Sequence, residues 1–231
     1  MDRSSSANAA ASAAPDAPVP GNGRLTLALI AGIPVIVILA ASWMWYFVVN
    51  GQLDLVGSLG TSNRGVLVQP PRQAQDTDWS SPSGDAFALT APPRWTMVIP
   101  QRGGVCDAGC EKRLYETRQI HMALGKELGR VQRFLVTDAP GGDLVLEVDA
   151  LSDQRPVPEN LAGYLAMEQR GMTLWQTSST QFERMFPQYA ATPDSWYLMD
   201  PAGWVMMRYD PSVTYKDVIA DLKFLIKNSN G

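Results

Sequence analysis

Cys106 and Cys110 are the chain's only two cysteines, and Asp107, Ala108 and Gly109 separate them. A thiolate is the nucleophile of disulfide exchange and also a ligand for soft metals. The pair therefore points to sulfur chemistry without choosing between the two kinds. As a plain staple it gains little, because so small a ring restrains the unfolded chain by only about 2 kcal/mol. Glu111 follows directly and raises a neighbouring thiol's pKa, while Lys112 and Arg113 oppose it, so the net shift stays open at this level.

Sulfur chemistry needs elements that hold the pair. Upstream lies a strand-like run, Trp95–Gln101. Downstream, from Asp107 to Leu128, Leu114, His121, Leu124 and Leu128 recur at helical spacing, with Gly129 as a stop. A helix N-terminus presents unpaired N–H groups and the positive end of its dipole, and both favour a thiolate. Val131–Val136 reads as a buried strand, and Asp143–Asp149 as either a short strand or an insertion. Pro158 opens a helix through Glu168, and Met172–Trp175 is a strand. Ser178 or Ser179 caps a helix carrying Phe182, Met185 and Phe186. Trp196–Met199 and the run from Trp204 flank Asp200-Pro-Ala-Gly203, a hairpin signature. Thr214 and Asp217 cap a last helix with an apolar stripe through Val218, Leu222 and Ile226. The order β-α-β-α-β-α-β-β-α predicts an α/β fold.

The first eighty residues read differently. Residues 1–24 are rich in Ala, Ser, Pro and Gly and read as a disordered cytoplasmic tail. Residues 25–49 contain no charged side chain and are long enough to cross a bilayer. Trp43, Trp45, Tyr46 and Phe47 cluster at their C-terminal end, where an aromatic belt belongs. Residues 50–83 read as a linker, Ala86–Thr90 as an edge strand, and 84–231 as the folded domain. Arg24 abuts the span, whereas the first positive residue after it is Arg64. That bias puts the C-terminal domain outside the cytoplasm. The net charge is −4 with no basic block, which argues against nucleic acid as a partner. No phosphate loop, paired catalytic carboxylates or hydrolase triad is present.

With that order laid out, the region from about residue 84 to 227 resembles the thioredoxin-like Sco family of copper A assembly proteins. The resemblance rests on the Cys106–Cys110 spacing, the hairpin from Tyr197 to Gly203, the terminal helix and the single N-terminal anchor. Gly60–Arg72, Arg94-Trp-Thr and Leu114–Lys126 also look like a group of bacterial membrane proteins linked to cytochrome c oxidase gene clusters. The resemblance implies a thioredoxin-like (Sco-like) domain on one transmembrane helix of a bacterial inner membrane, with the domain periplasmic. Its implied partners are a cytochrome c oxidase subunit or assembly factors.

Three functions follow. The cysteines exchange disulfides with an apo-subunit, as a thiol-disulfide oxidoreductase; or they bind Cu(I) and pass it on; or the domain is a non-catalytic scaffold. The Sco family adds a histidine ligand shortly before the hairpin, where this chain reads Ala191–Trp196 without one. The sole histidine, His121, lies eleven residues past Cys110. On one helix that is about 16 Å along the axis, too far to share a metal. Reductases of this fold carry a cis-proline ahead of the hairpin, and Pro193 stands there, which favours redox work. Met97, Met199, Met206 and Met207 read as core filler.

Overall fold

The computed structural model describes residues 23–49, 63–140 and 144–229. The chain forms two units, divided near Thr61 and Ser62. Among the described residues the first holds one helix, α1, Gly23–Val49, whose apolar stretch Leu27–Phe47 is long enough to cross a membrane. It is a candidate membrane anchor. Residues 1–22 of the expected N-terminal tail fall outside the described residues, whereas Gly23 and Arg24 already belong to α1.

The second unit is built on a six-stranded mixed sheet. β2 (Trp95–Gln101) is buried along its whole length. It pairs in parallel with β4 (Val131–Thr137), which pairs in parallel with β6 (Met172–Gln176). On its other side lies antiparallel β7 (Trp196–Met199), followed by β8 (Trp204–Tyr209) and β1 (Val66–Gln73). A parallel half needs helical crossovers, whereas a hairpin needs only a tight turn. Asp200–Gly203 supplies that turn: Asp200 Oδ1 accepts from the Ala202 and Trp204 N–H groups, and Gly203 takes φ +89°. A side chain is disfavoured at that φ.

One face of the sheet is covered by α2 (Ala108–Ala123), α3 (Leu161–Glu168) and α5 (Tyr215–Asn228). Met97, Ile99, Leu135, Leu198 and Met207 meet Leu114, Ile120, Tyr164, Leu222 and Ile226 there. The other face packs under α4 (Ser179–Met185) and the segment after β1, with Trp79, Phe134, Phe182, Phe186 and Tyr197 at its centre.

Four details depart from the sequence reading; the first is that the helix expected to open at Pro158 begins at Leu161, with Asn160 as its N-cap. Residues 66–73, expected within a linker, form β1 and pair with β8, so the folded unit begins before residue 84. Pro70 and Pro71 hide this strand, since they cannot donate to a ladder. They sit where the register shifts on an edge strand. Ala86–Thr90 is no strand; only Ala86 makes a bridge, to Ser80. The long helix expected to Leu128 stops at Ala123, because Gly125 at φ +61° turns the chain into a 3-10 segment, Gly125–Arg130.

Candidate functional site

Cys106 ends β3 (Val105–Cys106), and the chain turns at once into α2. Asp107 is the N-cap, its Oδ1 accepting from Cys110 N–H at 2.9 Å. Such a cap satisfies one of the free donors at a helix start. The turn brings the two cysteine Cα atoms to 5.1 Å, and the sulfurs are joined as a disulfide. Both residues are 0% exposed. Part of the cover comes from β5 (Val145–Leu146), which pairs in parallel with β3. Val145 N–H donates to Gly104 O at 2.8 Å and Glu147 N–H to Cys106 O at 2.9 Å. Leu144, Leu151 and Leu161 join the same apolar cluster as the cysteines. The segment the sequence left undecided thus forms a short strand that packs beside the sulfur turn.

Arg113 ties the site together from inside. Its guanidinium, almost fully buried, donates to Pro193 O at 2.5 Å, Gln101 Oε1 at 2.6 Å and Pro100 O at 3.4 Å. It also pairs with Asp194 at 3.3 Å. Gln101 in turn donates to Val105 O at 2.7 Å, next to Cys106. One cation thereby fixes the end of β2, the first turns of α2 and the Pro193–Asp194 loop. That loop lies close to the cysteine turn: a Cβ on Gly109 would sit 3.0 Å from Asp194 Oδ1. The structure thus links Pro193 to the helix that carries Cys110. The cis prolyl bonds among the described residues are Gln69–Pro70 and Ala91–Pro92, so the bond before Pro193 is trans.

Glu111, weighed from sequence as a charge acting on Cys110, has other partners. Its carboxylate is buried and accepts from Ser152 N–H, Ser152 Oγ and Tyr164 Oη. Gln169 Nε2 donates to Tyr164 Oη at 2.9 Å, and Arg133 Nη1 to Gln169 Oε1 at 2.7 Å. Burial, then the Glu111 charge, pushes the Tyr164 phenol well above its ordinary pKa. Burial also brings Arg133 down to about 10. The chain of contacts anchors the segment around Ser152 to α2 and α3. Lys112 points outward and pairs with Glu116. Sequence carried no sign of Ser152, Tyr164 or Gln101 as partners of this region.

His121 is a structural residue. Its Nε2 lies 3.0 Å from both Leu128 O and Val131 O, and burial lowers its pKa. Met97 and Met207 are buried in the cysteine-side core, and Met199 in the core on the other face. Among the described residues no three His, Cys, Asp or Glu side chains are grouped to hold a metal. For Cu(I), the soft donors at the turn are the two cysteine sulfurs, available only after reduction. A groove of about 510 Å³ runs beside the site, lined by Tyr115, Glu116, Asp194, Trp196 and Tyr215 among others.

Several solved structures are similar in part. Copper-bound yeast Sco1 is 14% identical with a TM-score of 0.45, covering 74% of this chain and 96% of that one. BsSco, described as a member of the Sco family of cytochrome c oxidase assembly proteins, is 14% identical at TM-score 0.45, over 74% and 99%. Copper-bound ScoI from Bradyrhizobium japonicum is 18% identical at TM-score 0.40, over 67% and 96%. No curated protein matches the chain in sequence. The family model for the transmembrane-like, thioredoxin-like, C-terminal domain matches residues 95–229, from the first residue of β2 to just past α5. The match takes in the cysteine turn, the Pro193 loop and the closing helix, more than half of the sequence, and on it the chain belongs to this thioredoxin-like family.

Proposed function

We propose that the protein is a membrane-anchored, periplasmic thiol-disulfide exchange protein of cytochrome c oxidase biogenesis, working through Cys106 and Cys110. The observation that carries this is the disulfide set at the N-terminus of α2 beside the Pro193–Asp194 loop. Reduction of a client proceeds in two steps. A thiolate of the dithiol form attacks one client sulfur, breaking that S–S bond and forming a mixed disulfide. The second cysteine then attacks the mixed bond and releases the client dithiol. Two electrons pass to the client and Cys106–Cys110 is left oxidised, to be reset by an external dithiol. Arg113 ties Pro193 O to the helix that carries Cys110, and we assign this loop the role of positioning the pair. The helix-end dipole favours the thiolates, which makes the pair easier to reduce than a purely structural bridge.

The oxidase client is inferred from the resemblance of Gly60–Arg72 and Leu114–Lys126, and the periplasmic side from the Arg24 bias. A second reading, Cu(I) carriage, has its own support: two thiolates suffice to hold Cu(I) as cargo. The test is a redox titration of the pair run beside a Cu(I) titration of the reduced protein. Exchange chemistry predicts a potential above about −300 mV, the range of labile bridges. A lower potential together with tight Cu(I) binding would replace exchange by copper delivery.

A further inference from the structure

The outward face of α5 carries a charge pattern that core packing does not require. The chain has five lysines, and Lys216, Lys223 and Lys227 all lie on this helix. At 3.6 residues per turn these three fall within about 40° of one another, forming one stripe. Val218, Leu222 and Ile226 make the buried side. Lys112 and Lys126 pair with Glu116 and Glu127. Among the described residues no carboxylate pairs with the three on α5; Lys216 instead lies over the Tyr215 ring. Phe224 and Tyr215 stand 58% and 61% exposed on the same helix. The helix's acids are occupied elsewhere. Asp221 is buried, accepting from Arg64 N–H, Gly65 N–H and Tyr209 Oη, and Asp217 is held by Thr214 and Arg64. The face is thus locally basic and aromatic in a chain whose net charge is −4.

The covalent path supplies the second observation. Those Asp221 contacts bring the incoming chain onto α5 itself. Residues 50–62, thirteen in all, join that point to the end of α1. Fully extended they reach at most about 45 Å. Unpaired lysines beside exposed aromatics are the composition that seats a helix on anionic headgroups. We propose that the Lys216–Lys223–Lys227 face, with Phe224, docks on anionic phospholipid headgroups of the bilayer that holds α1. This rests on the reading of α1 as a membrane span.

The test uses the full chain in vesicles at high lipid-to-protein ratio, of phosphatidylcholine alone or with phosphatidylglycerol. Lysines are pulse-acylated with an impermeant ester and quantified by mass spectrometry. Each lysine near an anionic surface biases the docked state roughly fivefold. Acylation of Lys216, Lys223 and Lys227 should slow severalfold in the anionic vesicles and recover in high salt, with Lys112 and Lys126 unchanged. In a Lys223→Gln/Lys227→Gln chain, Lys216 should lose most of its protection. Equal rates in the two lipids overturn the proposal, and equal protection in both does so too, since it assigns the cover to protein. Alkaline carbonate extraction of the same vesicles reads the anchor separately. Release of the chain refutes the span, whereas retention with unprotected lysines refutes docking alone.

Discussion

Replacing Arg113 with Met keeps the length of the side chain and removes its charge and donors. The ion pair itself counts for little, because Asp194 is largely exposed and such pairs contribute less than about 1 kcal/mol. The cost lies in the short bonds to Pro193 O and Gln101 Oε1. Hydrogen bonds to a charged group are worth about 1.5–3 kcal/mol each, and the stranded acceptors add a desolvation penalty. Allowing for relaxation of the exposed loop, the loss is about 3 kcal/mol. For a domain of this size that lowers the melting temperature by roughly 6–12 °C. Differential scanning calorimetry of the full chain measures it. The same change frees Gln101, whose amide holds Val105 O beside Cys106, so the reduced thiols should also alkylate faster. Arg113→Lys should fall between, since an ammonium cannot serve the planar array of acceptors. A melting temperature within about 2 °C of the parent, with unchanged alkylation, would show that these bonds secure neither the fold nor the turn.

Other outcomes follow from the same contacts. Asp107→Ala removes the cap on Cys110 N–H and should cost about 1 kcal/mol in chemical denaturation. His121 is half-buried, and that desolvation lowers its pKa. The unfolded chain therefore binds a proton near its ordinary pKa of about 6.5 that the fold resists, and stability contributed above that pH is lost as pH falls. Melting curves from pH 7 to pH 5 should decline less steeply in His121→Gln, while Cu(I) binding by the reduced chain is unaltered. A fragment starting at residue 63 should unfold cooperatively. One starting at 84 should be several kcal/mol weaker, since it loses β1 and the buried Trp79, which packs on Phe87 and Phe186.

The sequence made the local grammar of this fold readable. Ser178 and Thr214 cap their helices by accepting from the N–H three residues on, and Asp200–Gly203 turns the hairpin. Those signals act over a few residues, so they survive in one dimension. The apolar strands β2 and β4 were visible for the same reason. What escaped depends on distant partners. β1 was hidden by its prolines and is defined by pairing with β8, far along the chain. Glu111 sits next to Cys110 in sequence, yet its carboxylate meets Ser152 and Tyr164 across the site. Arg113 was weighed as a charge on a thiol, and its place one turn beyond Cys110 did not disclose the four groups it binds. The burial of the cysteines also comes from long-range packing, with β5, Leu144, Leu151 and Leu161 gathered against the turn.

The role proposed for Cys106 and Cys110 is chemical action on an oxidase subunit. It is tested most directly by expressing the Cys106→Ser/Cys110→Ser chain, at parental level, in cells lacking the native protein and measuring assembled, active cytochrome c oxidase. The ring contributes only about 2 kcal/mol, so the variant should fold. It should accumulate normally in the membrane, and oxidase maturation should fail. Maturation equal to the parent would contradict both sulfur readings and leave the domain as a scaffold.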